Sequence, residues 1–491
     1  MTEELPTLPC PIALMAAQRP SDPAILSPDG VLSYGDYNAS VRATAEHLGE
    51  IGIRREAVVG IVSQACVEYV VLLMALFRLG AVACPLSPRW PPKVAHDALL
   101  RTGCHWVVCG GPGHSGGTDP LQVSGLGSQA LDLAESVHIT RDPKRETRNP
   151  VIDAGSPATI VFTSGSTGEP KAAVHFYGNH YFNAAASNQN LPFDGGDGWL
   201  LSVSLHHVAG LGILFRCLLG GGAIVIPSRG ESIEDAIGRE GVTHVSLVPT
   251  QLYRLLRTEV GRNGLKRLKG ILVGGSAVPA SLIHEAAALR LPILTTYGLT
   301  EAASQVTTTQ PGDPLDRLLT SGTPLVPGTV TIAPDGEILV RGKTLFMGYL
   351  KPAGVERPMT SEKWFGTGDL GRLDGDGYLS VVGRKDNMFV CGGENIQPEE
   401  VEKCLCRLPG LRTAVVVPVP DAEFGYVPVA FVAMESGYEI DEQELAKHLT
   451  EELPRGKIPR RFLSWPRETE PGDPKVNRNN LAALARMLMS K

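Results

Sequence analysis

Short apolar runs alternate with longer amphipathic stretches through the first 320 residues, and this alternation constrains the fold more than any other feature of the chain. The runs fall at residues 58–62, 81–85, 106–109, 158–162, 223–226, 244–248, 270–273 and 292–295. Apolar runs of strand length, separated by segments long enough for a helix, predict α/β layers with largely parallel sheets. From Gly322 the texture changes to short strands and glycine turns, at 329–332, 337–341 and 378–382, which predicts a small β subdomain. After Gly383 a charged run leads to Pro398-Glu-Glu-Val401-Glu402, a helix start with proline and acids in its first turn. A small α+β domain is expected from there to the end. The chain thus divides into a large layered α/β domain, 1–383, and a small one, 384–491. A length of 491 residues exceeds what one ordinary core serves.

Bulk properties remove several classes of function. A formal charge of −7 and the lack of a dominant basic block argue against a nucleic-acid partner. The longest uncharged apolar run, 69–77, falls short of the roughly 20 residues a membrane-spanning helix needs and predicts a buried helix. Residues 1–14 carry Glu3 and Glu4 without a basic stretch ahead of an apolar one, unlike a secretory signal, so the expected location is the cytoplasm. The 9 cysteines form no Cys-x-x-Cys pairs and are expected as reduced thiols. The sequence leaves oligomeric state open, a homo-oligomer included.

The segment Thr163-Ser164-Gly165-Ser166-Thr167-Gly168-Glu169-Pro170-Lys171 follows the apolar run 158–162, so it sits at a strand end, where α/β folds bind nucleotides. Its hydroxyls and backbone N–H groups can donate to phosphate oxygens, its glycines permit close approach, and Lys171 adds a cation. It is not a P-loop. That motif needs lysine directly after glycine and then a hydroxyl, whereas Glu169 and Pro170 intervene here and Ala172 follows. Three further patterns are set aside. Residues 111–116 match G-x-G-x-x-G but contain Pro112 and no helix signal follows. Asp374-Gly-Asp376-Gly has Lys385 where a calcium loop needs glutamate, so a hairpin turn is expected. The sequon Asn38-Ala39-Ser40 is expected to stay unmodified.

Taken in order, Leu32-Ser33-Tyr34, Glu68 to Pro85, the hydroxyl loop, Gly274-Gly275-Ser276, Tyr297-Gly298-Leu299-Thr300-Glu301, Gly368-Asp369-Leu370, Gly383-Arg384-Lys385-Asp386 and Lys475-Val476-Asn477-Arg478 resemble the motif series of the adenylate-forming superfamily. That superfamily holds acyl-CoA synthetases, luciferases and peptide-synthetase adenylation domains. The resemblance implies a large N-terminal domain and a mobile C-terminal one hinged at Asp386, with ATP, Mg²⁺ and coenzyme A as cofactors. The implied reaction begins with attack of a carboxylate on the α-phosphate of ATP. Both partners are anions, so the site must neutralise charge. By resemblance, Thr163 to Gly168 with Lys171 hold phosphates, Glu301 binds Mg²⁺, and Thr300 contacts the α-phosphate. Tyr297 and Gly298, with Gly274, Gly275 and Ser276, hold the adenine; Asp369 and Arg384 hold the ribose. Lys475 is the adenylation lysine, although Pro474 precedes it where the family usually has glycine. Gly392 and Gly393 match the segment that lines the pantetheine tunnel.

Substrate choice is the least transferable property within such a superfamily. Residues 204–216, 300–305, 391–402 and 422–425 resemble the ligases that act on 2-succinylbenzoate in menaquinone synthesis. That acid carries an aromatic carboxylate besides the succinyl one that is activated, so its pocket needs a spare cation. Arg216 is the candidate, because it interrupts an apolar helical run. His207 falls at the family's position at the mouth of the acyl pocket, and Ser304 and Gln305 are candidate polar contacts. An aryl- or acyl-CoA ligase for another acid, or an enzyme loading a carrier protein, remains an alternative.

Overall fold

A computed structural model describes residues 5–110, 129–141, 150–163, 170–391, 394–421, 424–435, 437–439, 441–466 and 478–489. Ser164, Gly165, Ser166, Thr167, Gly168, Gly392, Gly393 and Lys475 lie outside the described residues, as does the 111–116 segment.

The apolar runs form the centres of two large sheets. The first has eight strands, in the order Gly354–Glu356, Gly348–Lys351, Lys171–Phe176, Pro157–Thr163, Val82–Leu86, Val58–Val62, Trp106–Cys109 and Gln129–Asp132. From Pro157–Thr163 onward its neighbours are parallel, and before it they are antiparallel. The second has nine strands, in the order Thr323–Pro324, Ser304–Thr308, Ile293–Leu299, Gly270–Val273, His244–Leu247, Gly198–Leu200, Ala223–Val225, Pro23–Ser27 and Gly30–Ser33. Its central pairs are parallel and both ends are antiparallel. The helix Val67–Leu79, whose residues Tyr69 to Phe77 are all buried, stops at Gly80, whose φ of 72° suits the left-handed cap. The helix Tyr34–Glu50 starts at a capping box between Ser33 and Asp36. Asn38 is buried within that helix, which closes the sequon to modification.

The segment after Gly322 departs from the expected single β subdomain. Val330–Ile332, Glu337–Val340, Phe365–Leu373 and Leu379–Arg384 do form a four-stranded antiparallel sheet. Between them, however, Gly348–Lys351 and Gly354–Glu356 cross back and extend the first sheet beside Lys171–Phe176. The reason is an open edge: Lys171–Phe176 is buried along its middle and its outer N–H and C=O groups need partners. Residues 374–377 form a hairpin turn, with the Asp374 N–H donating to Tyr378 O and Arg317 paired to both Asp374 and Asp376. Thr7–Pro9 and Val151–Asp153 pair as a separate two-stranded sheet, and the five strands Phe389–Cys391, Glu394–Ile396, Leu411–Asp421, Gly425–Met434 and Phe462–Ser464 pack with the helices Pro398–Leu405, Glu442–Glu452 and Arg478–Met489 around a core of their own. The guanidinium carbon of Arg412, on the strand Leu411–Asp421, lies 5.4 Å from the centre of the Tyr253 ring in the larger part. No disulfide joins any of the nine cysteines.

Two buried histidines, His175 on the strand Lys171–Phe176 and His180 in the helix Tyr177–Asn190, tie stability to pH. Burial pushes His175 down to about 4 and His180 well below the ordinary 6.5, so both are neutral in the folded chain. The unfolded chain therefore binds more protons between those values. Stability from these groups is complete above pH 6.5 and is lost as pH falls toward 4, by about 1.4 kcal/mol per pH unit for each. A melting temperature recorded from pH 7.5 to 5 is expected to start falling near 6.5; a flat profile down to pH 5 would contradict this.

Candidate active site

The strand Ile293–Leu299 ends in a single 3₁₀ turn, Thr300–Ala302, and the chain doubles back into Ser304–Thr308. The corner is tight. A Cβ on Gly298 would lie 2.0 Å from Ser304 O, and Ala303 and Ser304 adopt φ of 56° and 133°. Buried polar groups hold this conformation: the neutral imidazole of His175 donates from Nε2 to Thr300 O at 2.7 Å. Asn183 donates to Ala302 O and Gln305 O at 3.0 and 2.7 Å, and the Phe346 N–H donates to Glu301 O at 2.8 Å. Thr300, Glu301, Ser304 and Gln305 are thereby fixed on one corner.

Glu301 is partly exposed and its Oε1 accepts from the Tyr349 hydroxyl at 2.5 Å. Lys171 Nζ lies 5.2 Å from the centre of the same tyrosine ring. The juxtaposition follows from sheet register, because Tyr349 pairs with Ala173 two residues along from Lys171, while Lys171 pairs with Thr163 on the other side. One ring therefore touches the candidate phosphate lysine and the candidate metal carboxylate. Among the described residues no cluster of three or more His, Cys, Asp or Glu could hold a metal alone. A cation at Glu301 would draw its other ligands from water and phosphate, as Mg²⁺ does.

Asp369 and Arg384 are directly opposite in the hairpin of Phe365–Leu373 and Leu379–Arg384. Arg384 Nη1 donates to Asp369 Oδ1 at 3.1 Å, and Nη2 reaches Asp386 at 3.2 Å. The other oxygen of Asp369 accepts from the Tyr297 hydroxyl at 2.7 Å. Burial raises the Asp369 carboxyl above its usual value despite the lowering pull of Tyr297 and Arg384. Gly368 has to lack a side chain here, since its φ is 72° and a Cβ would come within 2.8 Å of Arg384 Nη2. At the end of the neighbouring strand, Gly274 lies so close to Thr296 that a Cβ would approach its Cγ2 to 2.5 Å. Gly275, with φ 85°, and Ser276 are exposed. Of the expected adenine and ribose groups, Asp369 and Arg384 are thus joined to Tyr297, and Gly274 abuts Thr296, the residue before it.

The acyl-side candidates lie on the helix Val208–Gly220. His207 is its exposed N-cap residue, with its ring 4.4 Å from that of His206. Further along, Arg216 is 1% exposed, and its Nε and Nη1 are buried without a hydrogen-bond partner. Among the described residues no carboxylate pairs with it. Burial pulls its pKa down to about 10, which still leaves it cationic at neutral pH. The guanidinium carbon lies 4.9 Å from the centre of the Trp199 ring. A Cβ on Gly212 would meet Arg216 Nη2 at 3.0 Å and Ser304 Cβ at 3.7 Å, which places the cation beside the doubled-back corner. Gln305 is buried there; its amide nitrogen donates to Thr308 Oγ1 at 2.8 Å and its Oε1 has no partner.

Sequence reasoning did not single out Tyr349, Trp199, His175 or Asn183. The available signal was polar or aromatic residues within runs otherwise suited to a core, as in Ala172-Ala-Val-His175. No helix among the described residues is long and apolar enough to cross a membrane.

The model of the AMP-binding enzyme family matches residues 13–350, and that of the AMP-binding enzyme C-terminal domain matches residues 400–469. A 2-succinylbenzoate–CoA ligase of Oceanobacillus iheyensis is 32% identical over 451 residues, 90% of this chain and 92% of that protein. The o-succinylbenzoate CoA synthetase of Bacillus subtilis, in complex with the acyl-adenylate intermediate OSB-AMP, superposes with a TM-score of 0.84 at 28% identity, covering 97% of this chain and 98% of that one. The same B. subtilis enzyme in complex with ATP and magnesium ion superposes at 0.83, with 28% identity over 97% of this chain and all of that one.

Proposed function

The chain belongs to the AMP-binding enzyme family, and from that premise we propose that it is an ATP- and CoA-dependent ligase converting 2-succinylbenzoate, through its acyl adenylate, to 2-succinylbenzoyl-CoA. The observation that carries the choice of acid is Arg216. A cation buried among apolar residues with two nitrogens unpartnered costs several kcal/mol unless an anion completes it. The aromatic carboxylate of 2-succinylbenzoate is such an anion, and a monocarboxylic acid, whose one carboxylate is the reacting group, has no counterpart to it. Ser304 and Gln305 lie on the corner beside Arg216 and serve as its polar companions. His207 stands at the start of the same helix, and we assign it to the mouth of the acyl pocket.

On the nucleotide side, Thr163 and Lys171 flank the phosphate segment. Glu301 supplies the Mg²⁺ carboxylate, and the bound metal would offset the charge of the phosphates. Thr300, on the same 3₁₀ turn, contacts the α-phosphate. Tyr297, Gly298, Gly274, Gly275 and Ser276 form the adenine side, with Asp369 and Arg384 on the ribose. Since Asp369 already accepts from Tyr297 and Arg384, ribose hydroxyls exchange for existing donors rather than meeting a bare carboxylate. Lys475 assists adenylation, and Gly392 and Gly393 line the thiol path in the second half-reaction. The boundary between the two domains falls at 383/384, with Asp386 as the hinge. We place the enzyme in the cytoplasm, where its substrates ATP and CoA are available.

The test is AMP and pyrophosphate release, dependent on CoA, with 2-succinylbenzoate against benzoate, 4-coumarate and a medium-chain fatty acid. Selective turnover of 2-succinylbenzoate is expected. Turnover of another acid alone would overturn the substrate and keep the ligase chemistry, and pyrophosphate release that needs a carrier protein instead of CoA would overturn the acceptor.

The Tyr349 contact yields a second expectation. A hydroxyl donating to a carboxylate is worth about 1.5–3 kcal/mol. Tyr349→Phe is therefore expected to lower kcat about tenfold and to raise the Mg²⁺ concentration giving half-maximal rate, with KM for the acid unchanged. An unaltered Mg²⁺ dependence would show that Tyr349 does not orient Glu301.

A further inference from the structure

The geometry points to Trp199 as a specificity-determining residue that acts through Arg216, its ring face stabilising the buried guanidinium without occupying the N–H donors reserved for the substrate's second carboxylate. This rests on the reading of Arg216 given above. A buried arginine is ordinarily stabilised by an acid, and an acid here would repel the substrate's carboxylate. Among the described residues no acid is paired with Arg216, whose Nε and Nη1 have no hydrogen-bond partner, and its guanidinium carbon lies 4.9 Å from the Trp199 ring centre. An aromatic face attracts a cation by its quadrupole while carrying no net charge, and the attraction grows when both partners are out of water. Both are: Trp199 is 0% and Arg216 1% exposed.

The ring is itself held. Trp199 Nε1 donates to Ser246 Oγ at 3.1 Å, and Phe193 and His244 pack at 5.5 and 5.2 Å between ring centres. His244 lies nearly parallel to the indole, at 27°. Burial lowers its pKa to about 4, so it brings no competing cation to the ring at neutral pH. Its Nδ1 is anchored by Thr243 Oγ1 at 2.8 Å. The strand Gly198–Leu200, between Ala223–Val225 and His244–Leu247, thus presents Trp199 as a fixed platform for a side chain from the helix Val208–Gly220. An arginine without this platform would keep its charge but lose the arrangement that holds it with its donors unspent.

The experiment measures kcat/KM for 2-succinylbenzoate and for 4-oxo-4-phenylbutanoate, which keeps the succinyl carboxylate and lacks the aromatic one. Wild type, Trp199→Phe, Trp199→Leu, Arg216→Ala and the double variants are compared. Trp199→Leu is expected to lower the preference for 2-succinylbenzoate about tenfold, through KM and not kcat, with KM for ATP unchanged. Trp199→Phe, which keeps a ring in the core, is expected to lose less. In the Arg216→Ala background the replacement of Trp199 is expected to leave the preference where it is. Equal losses for both acids in Trp199→Phe, or a full loss of preference from Trp199 in the absence of Arg216, would overturn the inference. If Arg216→Ala itself leaves the preference intact, the reading of Arg216 fails first, and the inference with it.

Discussion

A Lys475→Ala protein is expected to lose about 10²–10³-fold in pyrophosphate release, the range found when one preorganised charge donor is removed from a transition state. Adenylation joins two anions, and a long-stemmed ammonium can contact the entering carboxylate and the α-phosphate together. The expected loss is confined to that step. Supplied with preformed acyl adenylate and CoA, the variant is expected to form thioester at close to the wild-type rate, because the lysine belongs to the first half-reaction only. Rapid-quench measurement of each half-reaction separates the two. Equal losses in both would mean that Lys475 supports the fold of its domain instead, and would remove the argument for alternation about Asp386.

Replacing Arg216 by alanine is expected to raise KM for 2-succinylbenzoate about 100-fold, since removing one partner of a desolvated charge pair costs about 2–5 kcal/mol. KM for ATP is expected to stay within about twofold, because Arg216 is a group of the acid pocket. The folded protein should tolerate the change. Arg216 makes no ion pair among the described residues, so its removal leaves no acid stranded, and a slightly higher melting temperature is expected as an unpartnered buried cation is lost. A variant that loses affinity for ATP and for the acid equally, or one that fails to fold, would remove Arg216 from substrate recognition.

Much of the fold was legible because burial on both faces writes itself into strands as apolar runs. The strands Val58–Val62, Trp106–Cys109 and Gly270–Val273 fall where the runs predict. The crossing of Gly348–Glu356 into the first sheet was not legible, since the need it meets is an unpaired edge created by a strand far earlier in the chain. The same distance limits the site. Asp369, Arg384 and Tyr297 stand in recognisable motifs, but the hydrogen bond joining Tyr297 to Asp369 spans 72 residues. Tyr349 meets Glu301 across 48 residues and His175 meets Thr300 across 125. No local pattern marks such residues, and each looks like ordinary core until the sheets are assembled. Arg216 was the exception because a guanidinium within Leu214-Phe215-Arg216-Cys217-Leu218 is costly wherever the helix lies.

The hairpin that sets Arg384 opposite Asp369 turns over at residues 374–377, on the surface, with Arg317 paired to both of its aspartates. Surface turns are where homologous chains ordinarily gain and lose residues without penalty. Here the count is a ruler. The ladder from the turn to this pair already holds one bulge, between Leu370 and Gly371, and side chains alternate across a strand, so one residue inserted or deleted at that turn and not taken up by a second bulge would slide the pairing and send either Asp369 or Arg384 to the opposite face. Chain length in this exposed turn is therefore under the same constraint as the identity of the two charged residues more than a turn's length away, and engineering by grafting or tagging at that tip would act on the nucleotide site without touching it.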